Sequence, residues 1–422
     1  MTAARHDAIR LLIGNKFWFA KGGVETYLFE LIEELPALGY EVVPFAMHHE
    51  RNRPSPYEEF FVDEVDYHAP QSTLGKLRIA ARMLYSRQAA SRLEALIDKH
   101  PPQLAHLHNI YHQISPSILP VLGARGIPVV MTLHDLKLAC PNYKMRTHGQ
   151  VCERCKTGGY HHAVLQRCVQ NSVTASALCA FELYAHRRSG VYERHVSRFI
   201  VPSRFYLQKL RESGLPADRL VWVPSYTDVR RYEPRYGGDD YYLYIGRLSD
   251  EKGLPTLVDA AATFTRGTLV IAGEGPLRPV LERTVAERGL SHVRVVGPKY
   301  GQELIDLVRH ARFSVIPSEW YENCPRSLIE SFASGTPVIG ANIGGIPEMI
   351  DDGVSGLLFT PFSTEELRDK IEHLWDRPAL VADLGRMARV KAEREYSTEA
   401  HLDRLMAVYD QALGRTRHAA IA

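Results

Sequence analysis

Two glutamates, Glu322 and Glu330, are separated by seven residues in the segment EWYENCPRSLIE and could bind a ligand rich in hydroxyl groups. A carboxylate only accepts hydrogen bonds, so it can take both hydrogens of a vicinal diol. The pattern predicts that Glu322 lies in a loop, that Asn323 caps a helix, and that Glu330 lies two turns into that helix. The positive end of the helix dipole would then lie between the two carboxylates.

This arrangement suits a nucleotide sugar, which has hydroxyls at both ends and a diphosphate in the middle. The predicted rise of the helix separates the carboxylates by on the order of 10 Å, and free N–H groups at a helix start suit phosphate oxygens. The alternative is that both glutamates are surface residues that flank a core helix. The neighbouring motifs decide between these two interpretations.

Two cations follow the predicted strand Tyr241 to Ile245. Arg247 and Lys252 lie in the stretch GRLSDEKG, on the loop at the carboxyl end of that strand. Two positive charges at this position can neutralise a leaving diphosphate. Solvated surface charge is the alternative for an arginine and a lysine on a polar loop.

Short glycine turns precede several predicted helices. They contain Gly22 and Gly23 in the first half of the chain, and Gly246, Gly273 and Gly275 in the second. Such turns could let backbone N–H groups approach a phosphate, or could be tight connections without a ligand.

His134 directly follows the predicted strand Val129 to Leu133. Ligands of a doubly wound sheet gather at the carboxyl ends of its strands, so His134 could contact the reacting sugar. A structural role is the alternative for a single histidine at a strand end. His106 and His108 alternate on another strand and are predicted to be polar residues with internal hydrogen bonds.

Strands that alternate with helices predict an α/β fold with parallel, doubly wound sheets. The 422 residues exceed the ~250–300 that one core usually accommodates, so we expect two domains. The irregular segment 227–240 divides them. The predicted strands are Ile9 to Ile13, Glu41 to Met47, Leu104 to His108, Val129 to Leu133, Arg198 to Val201, Leu220 to Val223, Tyr241 to Ile245, Thr268 to Ala272, Val293 to Val296, Phe313 to Ile316 and Pro337 to Gly340.

Charge and hydropathy narrow the function class. With 51 Lys and Arg against 49 Asp and Glu, the net charge of +2 gives no argument for a nucleic-acid partner. No apolar run approaches the ~20 residues of a membrane-spanning helix, and the start of the chain does not resemble a signal peptide. We therefore expect a cytoplasmic protein.

Four cysteines form a candidate zinc site. Cys140, Cys152, Cys155 and Cys168 lie in an insert over residues 136–170, with gaps of 11, 2 and 12 residues between them. This spacing resembles a four-thiolate structural zinc loop, and the alternative is a set of unliganded thiols. No Asp-x-Asp motif lies at a predicted strand end, so no catalytic metal is expected.

The segment Leu74 to His100 combines an apolar stripe with cations that include Lys76, Arg78, Arg82, Arg87 and Arg92. It predicts a basic amphipathic helix, which either packs on the domain or lies on an anionic membrane. In the second case the protein would contact the inner face of the membrane.

Taken together, the motifs resemble the retaining glycosyltransferases of the GT-B fold, family four (group 1 type). The resemblance covers nearly the whole chain. It rests on the glycine pair, His134, GRLSDEKG, GEGP, and the block from Glu322 to Glu330 that is followed by GTPVIGANIGGIPEMI.

The resemblance implies a nucleotide-diphosphate sugar as donor and a glycan or lipid-linked acceptor in cell-envelope or exopolysaccharide synthesis. Arg247 and Lys252 would hold the diphosphate, Glu330 the ribose, and Glu322 with the adjoining Asn323 and Cys324 the donor sugar. His134 would line the reaction centre. The domains would be 1–226 on the acceptor side and 227–396 on the donor side, with a helix in 397–422 that returns to the first domain.

No carboxylate in the matched motifs occupies the place of a double-displacement nucleophile, which predicts front-face substitution. A nucleotide-sugar epimerase or a phosphorylase on the same fold is the alternative function. A binding protein without catalytic activity is a third class. The sequence does not indicate the base or sugar of the donor, or the identity of the acceptor.

Overall fold

The computed structural model describes residues 8–65 and 73–415 and contains two parallel six-stranded sheets. The first half of the chain contains β1 (Ile9–Gly14), β2 (Tyr40–Phe45), β3 (Leu104–Leu107), β4 (Val129–Thr132), β5 (Arg146–Thr147), β6 (Gln150–Val151), β7 (Arg198–Val201) and β8 (Leu220–Trp222). The second half contains β9 (Tyr241–Ile245), β10 (Thr268–Ala272), β11 (Val293–Gly297), β12 (Ser314–Ile316), β13 (Val338–Ala341) and β14 (Gly356–Phe359).

Helices separate most of these strands. They are α1 (Gly23–Glu34), α2 (Thr73–Leu84), α3 (Arg87–Lys99), α4 (Ile118–Ala124), α5 (His161–Leu165), α6 (Val173–Ser189), α7 (Val191–His195), α8 (Arg204–Glu212), α9 (Leu254–Thr263), α10 (Arg278–Glu287), α11 (Gly301–Arg309), α12 (Arg326–Ala333), α13 (Ile346–Met349), α14 (Thr364–Trp375), α15 (Pro378–Glu395) and α16 (Thr398–Ala412). The residues described contain no helix that is both long and apolar enough to cross a bilayer.

Both sheets are covered on both faces, which confirms the predicted doubly wound α/β fold. The strand order is β2-β1-β3-β4-β7-β8 in the first sheet and β11-β10-β9-β12-β13-β14 in the second. Successive strand residues point to opposite faces, so Leu12 joins one core cluster while Leu11 and Ile13 join another. Burial on both faces explains why the strands read as continuous apolar runs.

The strand order of the second sheet reverses between β9 and β12. The next strands in the chain, β10 and β11, lie on one side of β9, and β12 to β14 lie on the other. Ligands of doubly wound sheets bind outside the carboxyl ends of the strands at such a switch point. The loop that carries Arg247 and Lys252 follows β9, and the loop that carries Glu322 follows β12. The topology therefore brings these side chains together from distant parts of the sequence.

The last helix, α16, packs on the first sheet. Leu405 and Tyr409 are fully buried in the same cluster as Leu11 and Val130. The Tyr409 hydroxyl also lies 2.7 Å from Nδ1 of His106 in β3. Helix α16 follows the second sheet in the chain but packs against the first sheet.

Two elements of the sheets were not among the predicted strands. The chain adds β14 at the edge of the second sheet after a turn at Gly353, and it adds the short hairpin β5–β6 within the insert. Both are short and follow irregular segments, so their apolar content gave little periodic signal.

The segment Leu74 to His100 forms two helices where the pattern predicts one. Tyr85 and Ser86 lie between them, and the Ser86 hydroxyl accepts the N–H of Ala89, 3.2 Å away, as the N-cap of α3. The apolar stripe of α3 is buried in the core of the first domain at Ala89, Ala90, Leu93, Leu96 and Ile97. The side chains of Leu74, Lys76 and Leu77, like residues 1–7, 66–72 and 416–422, lie outside the described part.

Candidate active site in the cleft between the sheets

A cleft of about 2300 Å³ separates the carboxyl edges of the two sheets. Sites for one small molecule usually measure about 300–1,000 Å³, so this cleft has room for two substrates. The predicted donor-site residues from both halves of the chain all line it: Gly22, Gly23, His134, Gly246, Arg247, Lys252, Gly273, Gly275, Glu322, Asn323, Cys324 and Glu330.

Lys252 and Glu322 form an ion pair at the switch point of the second sheet. The Lys252 Nζ donates to Glu322 Oε1 over 2.7 Å, and the Ser318 hydroxyl donates to the same oxygen over 2.6 Å. The Lys252 ammonium also lies 5.3 Å from the centre of the Trp320 ring. Glu322 is only 5% exposed, so these contacts fix its carboxylate. Among the described residues no side chain donates a hydrogen bond to its Oε2.

Arg247 differs from Lys252 because its side chain is exposed in the cleft. Its backbone carbonyl accepts a hydrogen bond of 2.9 Å from the Tyr244 hydroxyl, which fixes the loop beneath it. Among the described residues no carboxylate forms an ion pair with its guanidinium. The planar fork of an arginine favours bidentate contacts with phosphate oxygens, and this one is free to make them.

The two glycine turns of the second domain pack backbone against backbone. Gly273 and Gly275 have φ of 155° and 158°, and a Cβ on Gly275 would lie 2.7 Å from the carbonyl carbon of Leu248. The Leu248 N–H donates to the Glu274 carbonyl over 2.9 Å. The glycines therefore bring the GEGP turn against the loop that carries Arg247.

Gly22 and Gly23 lie at the start of α1 and have open space beside them. A Cβ on Gly22 would meet no atom closer than Glu25 Oε2 at 3.8 Å, and one on Gly23 none closer than Arg326 Cδ at 3.9 Å. The part of the chain that the structure describes therefore has no steric need for glycine at these positions. Both glycines line the cleft, so the open space beside them belongs to it.

Glu330 belongs to an ion-pair network that crosses the cleft. Arg326 donates two hydrogen bonds, of 2.8 and 2.9 Å, to the carboxylate of Glu30 in α1, and it lies 3.6 Å from Glu330. Burial raises the pKa of Glu330, while Arg326 works in the opposite direction. The network joins a candidate ligand residue of the second domain to a helix of the first.

The helix of Glu330 begins later than the sequence pattern predicts. Asn323 does not cap it, because Pro325 has an extended backbone (φ −66°, ψ 118°) and α12 starts at Arg326. A proline makes the helical conformation unfavourable for the residue before it. Cys324 therefore cannot continue a helix from Asn323. Glu330 consequently lies one turn into the helix, and the prediction of two turns is wrong.

Asn323 reaches across the cleft instead. Its Nδ2 donates to the carbonyls of Leu133 and His134 over 3.3 and 3.2 Å. The next residue, Cys324, is a free thiol whose pKa burial raises to about 12. Asn323 thus fixes the backbone of His134 relative to the second domain.

His134 is the last member of a row of three imidazoles. His134 Nε2 lies 3.0 Å from Nδ1 of His108, whose ring lies 4.2 Å from that of His106. Both ring nitrogens of His106 have partners, in Tyr409 and Thr132, each at 2.7 Å. Burial lowers the pKa of His134 and of His106 to about 3. The imidazole that faces the cleft is therefore neutral.

The four cysteines of the insert are free thiols that lie near one another. Cys140 Sγ donates to Oδ1 of Asn142, 3.0 Å away, and Nδ2 of Asn142 lies 3.5 Å from the Cys168 carbonyl. Cys155 packs with Cys168 in a small apolar cluster. Among the described residues no three of the four bring their sulfur atoms within 4.8 Å of one another.

A different group of potential metal ligands does converge that closely: His112, Cys179 and Glu182. Here the ammonium of Lys137 lies 2.8 Å from Glu182 Oε2, and both side chains are almost fully buried. The lysine already supplies the positive charge that this buried carboxylate requires. The arrangement is that of an internal ion pair.

Several cleft residues could not be identified as candidates from the sequence. Ser318 and Trp320 contact the central ion pair, but their positions depend on the loop after β12. Arg326 precedes Glu330 by four residues, and this helical spacing could have indicated a pair. Glu30 gives no local signal, because its partner is distant in the chain.

Two family models match the chain in succession. Residues 21–231, which are 211 of the 422 residues, match Glycosyltransferase Family 4, and residues 226–391 match Glycosyl transferases group 1. An alpha-D-kanosaminyltransferase from Streptomyces kanamyceticus is 32% identical over 240 residues, which are 51% of this chain and 62% of that protein. The matched region thus spans about three fifths of that relative.

Solved structures share the fold over nearly the whole chain. A sucrose-phosphate synthase from Thermosynechococcus elongatus has a TM-score of 0.71 and 21% identity, and the match covers 96% of this chain and 99% of that one. Anabaena HepE in complex with UDP and glucose has a TM-score of 0.66 and 17% identity, with coverage of 95% and 99%. These TM-scores show that the chain shares its fold with both structures. The chain therefore belongs to Glycosyltransferase Family 4, and it has the GT-B fold.

Proposed function

We propose that this protein is a retaining hexosyltransferase that moves a hexose from a nucleotide-diphosphate sugar to an acceptor hydroxyl. The observation that carries this proposal is the fixed pair of Lys252 and Glu322 beside the free guanidinium of Arg247. Together they offer cations for a diphosphate and an acceptor for sugar hydroxyls within one cleft. The structural neighbour HepE, which is described with UDP and glucose, supports this class of donor.

In this proposal each end of the donor has its own carboxylate. Glu330, with a pKa that burial raises, would accept hydrogen bonds from the ribose, and the free oxygen of Glu322 would accept them from the sugar. The turns that contain Gly246 and Gly22 would let the phosphates approach the backbone, while the Gly246 N–H itself donates to the Ala272 carbonyl over 3.1 Å. The open space beside Gly22 and Gly23 supports this placement, because a side chain there would occupy ligand volume.

We infer front-face substitution as the mechanism. The bond from the anomeric carbon to the diphosphate oxygen breaks, the acceptor oxygen attacks from the same face, and the departing oxygen takes the proton of the acceptor hydroxyl. Arg247 and Lys252 would stabilise the charge that develops on the leaving group, in a site where preformed charges contribute most to the rate. The neutral His134 would hydrogen-bond the sugar and would not act as an acid.

A substitution of Asp135, a carboxylate of the first domain, distinguishes this mechanism from double displacement. Asp135 lines the cleft next to His134 and accepts the N–H of Lys137 over 2.9 Å. Front-face substitution predicts that Asp135→Asn retains measurable transfer. A covalent sugar adduct on Asp135, detected by mass spectrometry of the trapped enzyme, would contradict it.

For the acceptor we propose a hydroxyl of a glycan or of a lipid-linked glycan, in cell-envelope or exopolysaccharide synthesis. The volume of the cleft supports a second substrate beside the donor. Contact with an anionic membrane through α2 is part of this proposal, since the apolar stripe of α3 is already buried. Failure to co-sediment with vesicles that contain phosphatidylglycerol would argue against membrane contact.

A thermal-shift panel of UDP-, GDP- and ADP-sugars tests the donor class directly. A ligand that binds only the folded state at 100 times its dissociation constant adds ~2.7 kcal/mol of stability. At least one nucleotide sugar should raise the melting temperature, and Lys252→Ala should abolish the shift. Conversion of the sugar without an acceptor would instead support the epimerase, and release of a sugar phosphate on addition of phosphate would support the phosphorylase.

A further inference from the structure

The insert between β4 and α6 is held partly by the main core of the first domain and partly by a small separate cluster. Its elements are a hairpin of two-residue strands and the five-residue helix α5. Before the hairpin, Leu136, Leu138, Ala139, Cys140 and Met145 join the main core of the first domain. After the hairpin, only Cys155, Tyr160 and Ala163 belong to a cluster, and that cluster has five buried residues. Cores as small as this second cluster are often supplemented by a cross-link or a metal ion.

The backbone of the insert is also unusually strained. Six of the nine non-glycine residues with positive φ in the described chain lie between positions 143 and 171, namely Tyr143, Met145, His148, Arg167, Gln170 and Asn171. Each of them adopts a conformation that side chains disfavour. The part of the insert after the hairpin, which has three buried apolar residues, therefore needs another source of stability.

The cysteines are placed to supply it. Cys140 precedes the hairpin, Cys152 and Cys155 follow it, and Cys168 follows α5. Asn142 contacts both Cys140 and Cys168, and Cys155 and Cys168 pack together.

We propose that Cys140, Cys152, Cys155 and Cys168 bind one structural zinc ion. On binding, each thiol loses its proton to solvent and forms a bond to zinc, so four protons are released and no redox change occurs. Tetrahedral coordination by four thiolates has Zn–S distances of about 2.3 Å. The sulfur atoms must therefore come closer together on binding, since among the described residues no three of the four lie within 4.8 Å of one another.

The zinc would act on the donor site through the contacts of the insert. Lys144 Nζ lies 3.2 Å from Glu251, and Arg146 donates to Asp250 over 2.5 Å. Both acidic residues lie between Arg247 and Lys252 in the loop that follows β9. An ordered insert thus holds this loop, and loss of zinc should weaken the response to a nucleotide sugar.

Elemental analysis of the full chain, purified without chelator and passed through gel filtration, tests the proposal. The expected result is about one zinc per chain in the wild type, about one in the control Cys179→Ser, and less than about a tenth in Cys155→Ser. Cys179 is a buried free thiol in α6, outside the four, so it controls for the loss of any cysteine. Zinc absent from the folded wild type, or unchanged in Cys155→Ser, would overturn the proposal.

If Cys155→Ser does not fold, X-ray absorption of the wild-type protein decides. Four sulfur neighbours at about 2.3 Å are expected, and a shell dominated by nitrogen or oxygen would overturn the assignment. This measurement needs no activity, so it remains informative if the proposed transferase reaction is wrong.

Discussion

Lys252 Nζ and Glu322 Oε1 lie 2.7 Å apart, although 70 positions separate the two residues in the chain. The contact exists because β9 and β12 are neighbours at the switch point of the second sheet, where both loops emerge. The pair neutralises Glu322 in a buried position and directs Lys252 toward the cleft. It therefore couples the cation proposed for the diphosphate to the carboxylate proposed for the sugar.

Removal of either cation from the β9 loop should reduce turnover. We expect Arg247→Ala and Lys252→Ala each to lower kcat by ~10²–10³, because the charge on the leaving diphosphate loses a preformed partner. Arg266→Ala is the matched control, since Arg266 pairs with Asp376 on the surface of the same domain. Steady-state kinetics with the donor selected by thermal shift provide the measurement. Unchanged donor affinity and turnover in Lys252→Ala would exclude the proposed diphosphate site.

Glu322→Gln should weaken donor binding more than it weakens the fold. The amide keeps the shape of the side chain but loses a charged hydrogen bond, which typically contributes about 1.5–3 kcal/mol. The KM for the donor should then rise by roughly 10- to 100-fold. Glu319→Gln is the control, because Glu319 is also buried in this loop but pairs with Thr256. A similar rise in KM for both variants would indicate a general effect on the loop.

The ion pair between Arg326 and Glu30 joins the two sides of the cleft and should stabilise the folded protein. Glu30→Gln removes the charge that accepts two hydrogen bonds, and we expect a loss of about 1.5–3 kcal/mol in the free energy of unfolding. Glu33→Gln on the same helix should change it by less than about 0.5 kcal/mol, since Glu33 forms an exposed pair with Arg53. Denaturant titration of both variants measures the difference, and equal effects would show that the bridge contributes nothing specific.

The buried histidines make the fold sensitive to acid. The folded-state pKa of His106 is lowered to about 3, while an unfolded histidine titrates near its ordinary value of 6.5. Between these pH values the unfolded state binds more protons than the folded state. The contribution of His106 to the free energy of unfolding is therefore fully present above pH 6.5 and is lost as the pH decreases toward 3. One such histidine contributes about 1.4 kcal/mol per pH unit.

His106→Asn should therefore flatten the decline of stability between pH 6.5 and pH 4, although it also loses hydrogen bonds and is less stable at neutral pH. His161→Gln, a change at an exposed position in α5, should keep the wild-type slope. Denaturation curves over this pH range compare the slopes. A slope identical to that of the wild type in His106→Asn would show that the ring does not titrate on unfolding.

Features that depend on neighbouring residues in the chain could be predicted from the sequence. Apolar strands with glycine turns identified both sheets, and Arg247 and Lys252 could be placed because they follow an unambiguous strand. The pairing of Arg326 with Glu30 could not be predicted, since it depends on how two domains face each other. The preference of Asn323 for a cap position predicts a helix that starts there, whereas the restriction that Pro325 imposes on Cys324 moves the start of α12 to Arg326.

The stereochemistry of transfer tests the central claim most directly. With water as the acceptor, proton NMR can identify the first sugar anomer released from the donor selected by thermal shift, before mutarotation mixes the two forms. Front-face substitution at the site of Lys252 and Glu322 predicts that this sugar has the same anomeric configuration as in the donor. Initial release of the opposite anomer would contradict the retaining mechanism.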